Sequence, residues 1–187
     1  SWPAPATPRR PRAGALRGLF AGGTLLAEAM AIASDALGPV RSNVPLDPGW
    51  ALGDDLRGDG HVMIDFGDDR LTLGRPHPMI DDVLRIERLR EEAADPGTAV
   101  VLLDVVLGHG TNPDPAASLG PAIREARKVA EADGRDLAVV VSLCGTASDP
   151  QGRDRQGATL RDAGASVHLS NAVAARGAVR LVDRATS

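Results

Sequence analysis

Apolar runs alternate along the chain with stretches of helical periodicity. The runs Leu16–Ala21, Ala99–Leu107 and Leu137–Leu143 have few polar interruptions, which is typical of strands covered on both faces. Apolar residues recur at helical spacing after the first run as far as Gly38, and again over Asp114–Asp133 after the second. The pattern predicts repeated strand-helix units.

The last third of the chain continues this alternation. A helix is predicted over Arg153–Ala163, a strand over Ser166–Leu169, and then a short alanine-rich helix. Strands and helices that alternate through short connections favour a parallel sheet with right-handed crossovers. We therefore predict an open, doubly wound, mainly parallel α/β sheet of the flavodoxin-like type.

The middle of the chain interrupts the alternation. Arg41–Gly60 is broken by proline and glycine and is predicted to be an ordered excursion over one sheet edge. His61–Phe66 and Arg70–Leu73, joined by an acidic turn, predict a β-hairpin. From Pro78 a helix is predicted whose apolar face carries Ile80, Val83, Leu84, Ile86 and Leu89.

The first 14 residues have a different composition from the rest. Residues 1–14 are rich in proline, alanine and arginine, so they predict a linker or tail to something upstream, and residues 15–187 a single domain. A mitochondrial transit peptide is the weaker interpretation, because prolines oppose the amphipathic helix that such peptides form.

Composition narrows the classes of partner. The net charge of -4 and an aromatic content of 2% disfavour nucleic acid and anionic membranes as partners. A single cysteine, Cys144, excludes an intramolecular disulfide, and neither a signal segment nor a long apolar span is found. A cytoplasmic location fits these features best.

Ligands of open parallel sheets bind beyond the carboxyl ends of the strands, so the loops there are the candidate site. Gly22, Gly23 and Thr24 lie between a strand and a helix, where their amides can face a phosphate, carboxylate or carbamoyl oxygen. A tight turn with Thr24 as the helix N-cap explains the same residues.

The segment Gly74–Met79 holds an arginine and a histidine between two prolines. Arg75 can grip an oxyanion, and His77 can act as an acid, a base or a hydrogen-bond donor. The alternative is a stiff connection in which Pro78 starts a helix and His77 caps or packs.

A third loop follows the second buried strand. Asp104 inside that strand either has a perturbed pKa or holds a neighbouring loop through backbone amides. The loop itself offers an imidazole, an amide and two flexible glycines at another helix entrance. These residues are Gly108, His109, Gly110 and Asn112.

The loop after the next strand begins with the cysteine. Cys144 is either a nucleophile with His109 as its base or, more commonly, a small buried thiol at a strand end. Gly145, Thr146 and, after the last strand, Asn171 add polar groups to the same edge.

The acidic residues suggest a hard cation, but local structure explains them more simply. Asp65, Asp68 and Asp69 fit a hairpin turn, and Asp81 and Asp82 fit a helix N-terminus. The four histidines and one cysteine lack zinc spacing, so we predict no metal site.

Four segments carry a resemblance to a known family. They are GLFAGGTLLAEAM, MIDFGDDRLTLGRPHPMID, VVLLDVVLGHGTNPDPAASL and CGTASDPQGRDRQGATLRDAGA. Together they closely resemble the C-terminal region of the FdrA family, from about Gly14 to Val182. FdrA proteins are similar to the succinyl-CoA synthetase α subunit and to NDP-forming acyl-CoA synthetases. The resemblance implies that this chain is the last flavodoxin-like ligase domain of that arrangement, which elsewhere follows a CoA-binding-like Rossmann domain.

One departure from the family stands out. The synthetases carry a catalytic phosphohistidine in a Gly-His-Ala-Gly context after the strand that matches Leu137–Leu143, whereas Gly145–Gly152 here contains no histidine. A phosphoryl relay through that residue is therefore not expected. The chain also lacks a Rossmann G-x-G-x-x-G and an ATP-grasp stretch, which argues against autonomous CoA ligation.

FdrA proteins also resemble a component of an oxamate carbamoyltransferase. The resemblance thus implies a subunit or module of a multi-component carbamoyl- or acyl-transferring enzyme, with carbamoyl phosphate, CoA or a nucleotide as substrate. Its partners would be other subunits, an upstream CoA-binding-like domain or a second copy. Backbone amides and Arg75 would stabilise an oxyanion while His77 or His109 moves protons. The alternative is a non-catalytic assembly domain that docks a partner subunit through its loop edge.

Overall fold

A computed structural model describes residues 13–182. The strands are β1 (Ala15–Phe20), β2 (Val40–Ser42), β3 (His61–Asp65), β4 (Thr98–Val106), β5 (Ala138–Cys144) and β6 (Ser166–His168). The helices are α1 (Gly23–Leu37), α2 (Asp69–Thr72), α3 (Val83–Ala94), α4 (Pro115–Ala132), α5 (Arg153–Asp162) and α6 (Asn171–Leu181), and a 3-10 turn covers Pro48–Trp50.

The strands form one sheet in the order β2-β3-β1-β4-β5-β6, and every pairing is parallel. Without the three-residue edge strand β2, the order is the one found in flavodoxin-like folds. The predicted α/β class and open doubly wound sheet are confirmed. Each of the five connections runs from the carboxyl end of one strand to the amino end of the next. The carboxyl ends of all six strands therefore lie together along one side of the sheet, which we call the carboxyl edge.

Helices cover both faces of the sheet. One apolar core joins the sheet to α3, α4 and α5 through residues such as Leu89, Ile123 and Leu160. The other joins it to α1 and α6 through residues such as Met30 and Val179. Burial on both faces explains why β4 and β5 have almost no polar residues.

The predicted β-hairpin is wrong. β3 pairs in parallel with β1 and β2, and residues 69–72 form a helical turn. The Asp68 side chain accepts a hydrogen bond from the Arg70 amide and so acts as the N-cap of α2, while Asp69 lies in its first turn. The acidic residues that suggested a hairpin turn start a helix instead.

The helix predicted from Pro78 begins later, at Val83, and its buried face differs from the predicted one. Ile80 and Val83 are both 52% exposed, whereas Arg85 and Glu92 are buried. Apolar spacing was misleading here because two charged residues occupy positions that face the sheet.

The remaining expectations for the chain's organisation have mixed outcomes. Arg41–Gly60 is ordered, as predicted, but it also contains most of β2 and the 3-10 turn, regular elements that its pattern did not predict. The predicted linker over residues 1–14 lies, as far as residue 12, outside the described residues, so it stays a prediction. Among residues 13–182, no helix combines the length and the apolar character needed to cross a bilayer.

Candidate functional site

The first part of the carboxyl edge is the start of α1. Gly22 is the N-cap, with an extended backbone and no side chain to cap the helix, and no acidic residue lies in the first turn. Thr24 is exposed inside this turn, so the interpretation of Thr24 as the N-cap is wrong. The first helical hydrogen bond is donated by Leu26 to the Gly22 carbonyl. The amides of Gly23 and Thr24 therefore have no intrahelical acceptor and stay open to a ligand.

Asp65, the last residue of β3, lies beside this helix start. It is 7% exposed, and its Oδ1 accepts a hydrogen bond of 2.8 Å from the Gly67 amide. A Cβ atom placed on Gly23 would lie 3.1 Å from its Oδ2. Burial raises the pKa of Asp65, and the neighbouring Asp68 adds to the rise, while the Gly67 amide and His77 oppose it.

His77 reaches the same place from the loop between α2 and α3. Its Nδ1 accepts a hydrogen bond of 3.2 Å from the Met79 amide. Its Nε2 would lie 2.8 Å from a Cβ on Gly67, a point that is also 2.7 Å from the Ala21 carbonyl oxygen and 3.1 Å from Asp65 Oδ1. The close approach depends on the absence of a side chain at Gly67.

Arg75 and Gly74 precede His77 on this loop. Arg75 is exposed, and its amide donates to the Thr72 carbonyl at 3.0 Å. Gly74 has a φ of 74°, in the left-handed region that favours glycine. The tight bend therefore projects Arg75 away from the packed part of the loop, and its role as an oxyanion ligand stays a prediction.

A buried charge network stands behind the edge. Arg85 Nη1 donates to both the carbonyl and the Oδ1 of Asp104, at 2.7 and 2.8 Å, and Nη2 donates to Asp82. Asp104 Oδ1 also accepts from the Ala21 amide at 2.8 Å. Asp104 thus fixes the turn before α1, as the second interpretation of this residue predicted.

The charges of this network are not fully compensated. Asp104 is 1% exposed and its Oδ2 has no hydrogen-bond partner within residues 13–182, and the same holds for Arg85 Nε. Burial raises the pKa of Asp104 although Arg85 and the Ala21 amide oppose the rise. Because a buried polar atom without a partner is costly, the edge keeps a polar group that packing alone does not explain.

Asn112 connects the network to the loop after β4. Its Nδ2 donates to Asp82 Oδ2 at 3.1 Å, and its amide donates to the Met79 carbonyl at 2.7 Å. Asn112 therefore joins its loop to the loop that carries His77. One N–H of its side chain is thus engaged in positioning the two loops, and its role as a ligand-binding residue stays a prediction.

Gln151, from the loop after β5, holds the loop after β4 in place. Its Nε2 donates to the carbonyls of Gly108 and Asn112 and to Thr111 Oγ1, at 2.7 to 3.2 Å. Its Oε1 accepts from the Gly108 amide at 3.2 Å. His109 and Gly110 lie exposed at the tip of the loop thus fixed, and Gly108 and Gly110 have positive φ angles.

Cys144 is exposed, so the interpretation of it as a buried thiol is wrong. The residue follows the last position at which β5 pairs with β6, Ser142, and therefore its side chain has no neighbouring strand on that side. No hydrogen bond joins Cys144 to His109 among the contacts of residues 13–182. A Cβ on Gly145 would lie 2.9 Å from Leu107, and the Thr146 amide donates to Asp149, so both residues shape their own loop.

Asn171 belongs to a helix contact. Its Nδ2 donates to the Leu25 carbonyl and to Glu28 Oε2, both at 2.8 Å, and so ties α6 to α1. The side-chain NH₂ of Asn171 is therefore engaged, whereas its buried Oδ1 has no partner within residues 13–182, and its role as a ligand-binding residue stays a prediction.

Comparison with known proteins identifies the family. Residues 19–181 match the CoA-ligase family. The chain belongs to this family. The uncharacterized protein YahF of Escherichia coli (strain K12) is 46% identical over 149 residues, which make up 80% of this chain and 29% of YahF. The CoA-ligase domain described here thus spans less than a third of the length of that relative.

The opposite side of the sheet, where the strands have their amino ends, is here called the amino edge. It also contains buried charged side chains. Arg17 of β1 donates through Nε to Glu92 Oε2 at 3.0 Å and through Nη2 to Asp95 at 3.3 Å. Glu92 also accepts from Arg88 at 2.6 Å and from Thr98 at 2.8 Å. A cavity of about 700 Å³ lies there, but its arginines are paired and it is remote from the loops at the carboxyl ends.

The structure brings together some predicted residues of the CoA-ligase domain and adds others. The start of α1 meets the loop that carries His77, since a Cβ on Gly22 would lie 3.4 Å from Met79 Cε, and Asp104 holds the amide of Ala21 just before that helix. Sequence reasoning missed Asp65, Arg85 and Gln151 as parts of the site. The spacing of Asp82 and Arg85, three residues apart at a helix start, was the available signal for the buried pair.

The groups around the start of α1 are mainly hydrogen-bond donors, not catalytic nucleophiles. Two open amides, one imidazole and one buried carboxylate surround the start of α1, and this set can hold an oxygen atom that gains negative charge. Among residues 13–182, no group of three or more His, Cys, Asp or Glu side chains is arranged to hold a metal ion.

Proposed function

We propose that this CoA-ligase domain is of the FdrA type and serves as a module of a multi-component acyl- or carbamoyl-transferring enzyme. The start of α1 is its substrate site, which takes an acyl phosphate such as carbamoyl phosphate. The observation that carries the proposal is the uncapped start of α1, with Asp65 close to Gly23 and His77 close to Gly67. Membership of the CoA-ligase family over residues 19–181 supports it.

The amides of Gly23 and Thr24 provide the main attraction for the substrate. Backbone donors at a helix start are fixed in direction, so they stabilise charge that develops on an acyl oxygen without reorganisation. His77 adds a side-chain donor, and Arg75 is an exposed cation on the same loop.

A pair of substitutions at Gly23 tests the proposal. Gly23→Pro removes one amide at the first helical position, where proline is tolerated, and Gly22 before it already has the extended backbone that proline requires. Gly23→Ala is the matched control, since it introduces the same Cβ beside Asp65 but keeps the amide. We expect calorimetry to show carbamoyl phosphate binding in the wild type and in Gly23→Ala, and about tenfold weaker binding in Gly23→Pro.

The same titration is repeated with CoA and with ATP. Equal affinity of the two variants for carbamoyl phosphate would contradict a role for the α1 amides. Binding of none of the three compounds to the wild type would contradict the proposed substrate site as a whole.

A second function is supported by a separate observation. Leu73 is 87% exposed, and Ile80 and Val83 are each 52% exposed, on the segment around His77. Exposed aliphatic side chains on one segment suit the docking of a partner subunit or a second copy. If a second copy docks there, sedimentation will show self-association that Ile80→Asp abolishes and that Val129→Asp, a control on α4, leaves intact.

A further inference from the structure

The outer surface of α1 and α6 contains a groove between the two helices, with a volume of about 530 Å³. Its floor consists of apolar side chains that are partly or fully buried, which are Ile32, Ala36 and Val179. Three exposed charged residues line its walls, Asp35 on α1 and Arg176 and Arg180 on α6. The groove therefore combines an apolar floor with two walls of opposite charge.

The charges on the two walls lie at the same height along the helices. Asn171 of α6 donates a hydrogen bond of 2.8 Å to Glu28 of α1, which sets these two positions side by side. Both helices follow strands of one parallel sheet, so they run in the same direction. Asp35 follows seven residues after Glu28. The position seven residues after Asn171 is 178, midway between Arg176 and Arg180.

These three charged side chains are unpaired within residues 13–182. Asp35, Arg176 and Arg180 form neither an ion pair nor a side-chain hydrogen bond with other residues of the described chain. On the other face of the sheet, by contrast, Arg90 of α3 and Glu125 of α4 meet at 3.5 Å. The α1–α6 groove keeps opposite charges apart, so a second molecule that spans the groove can pair with both.

A two-fold axis along the groove brings these charges together between two copies of the chain. Rotation about this axis places α1 of each copy on α6 of the other and leaves the height of every residue unchanged. Asp35 of one copy then faces Arg176 and Arg180 of the other copy, and the same contact recurs across the axis. The surface is therefore complementary to itself in charge.

The shape of the two helices fits the same arrangement. The exposed side of α1 carries the small residues Ala27 and Ala31, and Gly177 lies beside Arg176 on α6. Small residues at a helix contact allow the axes to approach to about 8 Å. Val173, which is 49% exposed at the start of α6, then packs against the two alanines of the other copy.

We propose that α1 and α6 form a self-complementary interface through which two copies of this chain pair, with Asp35 of each copy bound to Arg176 and Arg180 of the other. The two carboxyl edges then lie on the same side of the dimer, and the segment around His77 stays open to a different subunit. The inference does not depend on the proposed substrate site.

Sedimentation velocity of charge-reversal variants of the whole chain tests the pairing. Asp35→Arg, and separately the double variant Arg176→Asp/Arg180→Asp, set like charges against each other at both symmetric contacts. We expect each variant to dimerise at least about tenfold more weakly than the wild type. An equimolar mixture of the two variants restores opposite charges at both contacts, so its mixed dimer should have an affinity within about threefold of the wild type.

Glu131→Arg is the matched control, because it makes the same charge reversal at an exposed position of α4, on the other face of the sheet. It should change the dimerisation affinity less than about twofold. A wild type that stays monomeric at about 1 mM would overturn the inference, as would a mixture that dimerises no better than its two components. Loss of the dimer in Ile80→Asp would place the contact at the segment around His77 and would overturn the inference as well.

Discussion

The two edges of the sheet both bury charge, and one helix supplies a charged residue to each. Arg85, in the first turn of α3, reaches the carboxyl edge, and Glu92, two turns later, reaches the amino edge. Glu92 receives hydrogen bonds from Arg17, Arg88 and Thr98. Arg85 instead stands alone, among the described ion pairs, between the carboxylates of Asp82 and Asp104.

This difference indicates that the charged residues of the amino edge form a structural cluster, whereas those of the carboxyl edge belong to a binding site. At the amino edge several donors share each of the carboxylates of Glu92 and Asp95, so these acids are satisfied, although Arg135 Nε nearby has no partner within residues 13–182. At the carboxyl edge one guanidinium serves two buried carboxylates, one Asp104 oxygen has no partner within residues 13–182, and burial raises the pKa of Asp104. Incomplete compensation in a packed region is typical of positions that meet a ligand or a partner.

The largest expected effect is a loss of stability when Arg85, the buried cation of the carboxyl edge, is replaced. Arg85→Met leaves Asp82 and Asp104 buried without their cation, and we expect a loss of about 3–5 kcal/mol in the free energy of unfolding. Arg17→Met, its counterpart at the amino edge, should cost less, about 2 kcal/mol, because Glu92 keeps Arg88 and Thr98. Urea unfolding followed by circular dichroism measures both values.

Similar losses in the two variants would show that the edges do not differ as described. Adding Asp82→Asn to Arg85→Met provides a control, since it removes one of the two uncompensated charges. The double variant should recover part of the lost stability, and no recovery would mean that packing of the Arg85 side chain, not its charge, dominates.

A smaller effect concerns pH at the amino edge. His61 Nδ1 accepts a hydrogen bond of 3.0 Å from the Leu16 amide, and burial, with Arg17 second, lowers the pKa of His61 below its ordinary 6.5. The folded chain thus favours the neutral ring, so this stability is present above the unfolded pKa and is lost as the pH falls through the folded one. Since the ring is partly solvated, we expect less than about 1 kcal/mol between pH 7 and 5.

Replacement of His61 by asparagine isolates this contribution. His61→Asn keeps an acceptor near the Leu16 amide and cannot gain a proton, so its stability should fall less between pH 7 and 5. Some fall remains, because burial also lowers the pKa of His168. His109→Asn, at an exposed loop tip, should follow the wild type, and a pH profile of His61→Asn that equals the wild type would refute the assignment.

The smallest expected effect is a pH-dependent change in stability that arises from Asp65 at the carboxyl edge. Because the pKa of Asp65 is raised above its ordinary 3.8, ionisation of this group opposes folding, and the penalty appears as the pH rises through the folded pKa. Asp65→Asn keeps an acceptor for the Gly67 amide and should therefore gain a few tenths of a kcal/mol at pH 7 and nothing at pH 3. A variant that is less stable at pH 7 would show that the carboxylate supports the fold.

Much of the fold could be predicted because burial on two faces leaves a strong pattern. β4 and β5 are nearly continuous apolar runs, and their flanking turns carry glycine or proline. The prediction failed at residues 61–83, where short elements depend on tertiary contacts. β3 is too short to reveal its parallel pairing, and α3 turns charged residues toward the sheet.

The site was predictable by place but not by residue. Topology selects the carboxyl edge, and glycines and polar residues in those loops indicate the start of α1 and the His77 loop. In the sequence Asp65 fits a turn, and nothing there shows that the side-chain NH₂ groups of Asn112 and Asn171 hold other parts of the chain, so their ligand-binding roles stay predictions. Their partners come from distant parts of the chain, so only the folded structure shows which polar groups are engaged and which are open.

The contacts of Gln151 have a consequence for how this domain can vary. One side chain spans Gly108, Thr111 and Asn112 on the preceding loop, mostly through backbone atoms. These contacts fix the length of that loop, since an inserted residue would pull the carbonyls away from the glutamine amide. The length of this loop and the residue at position 151 therefore depend on each other. A loop grafted from a related domain should be transferred together with the residue at position 151 of that domain.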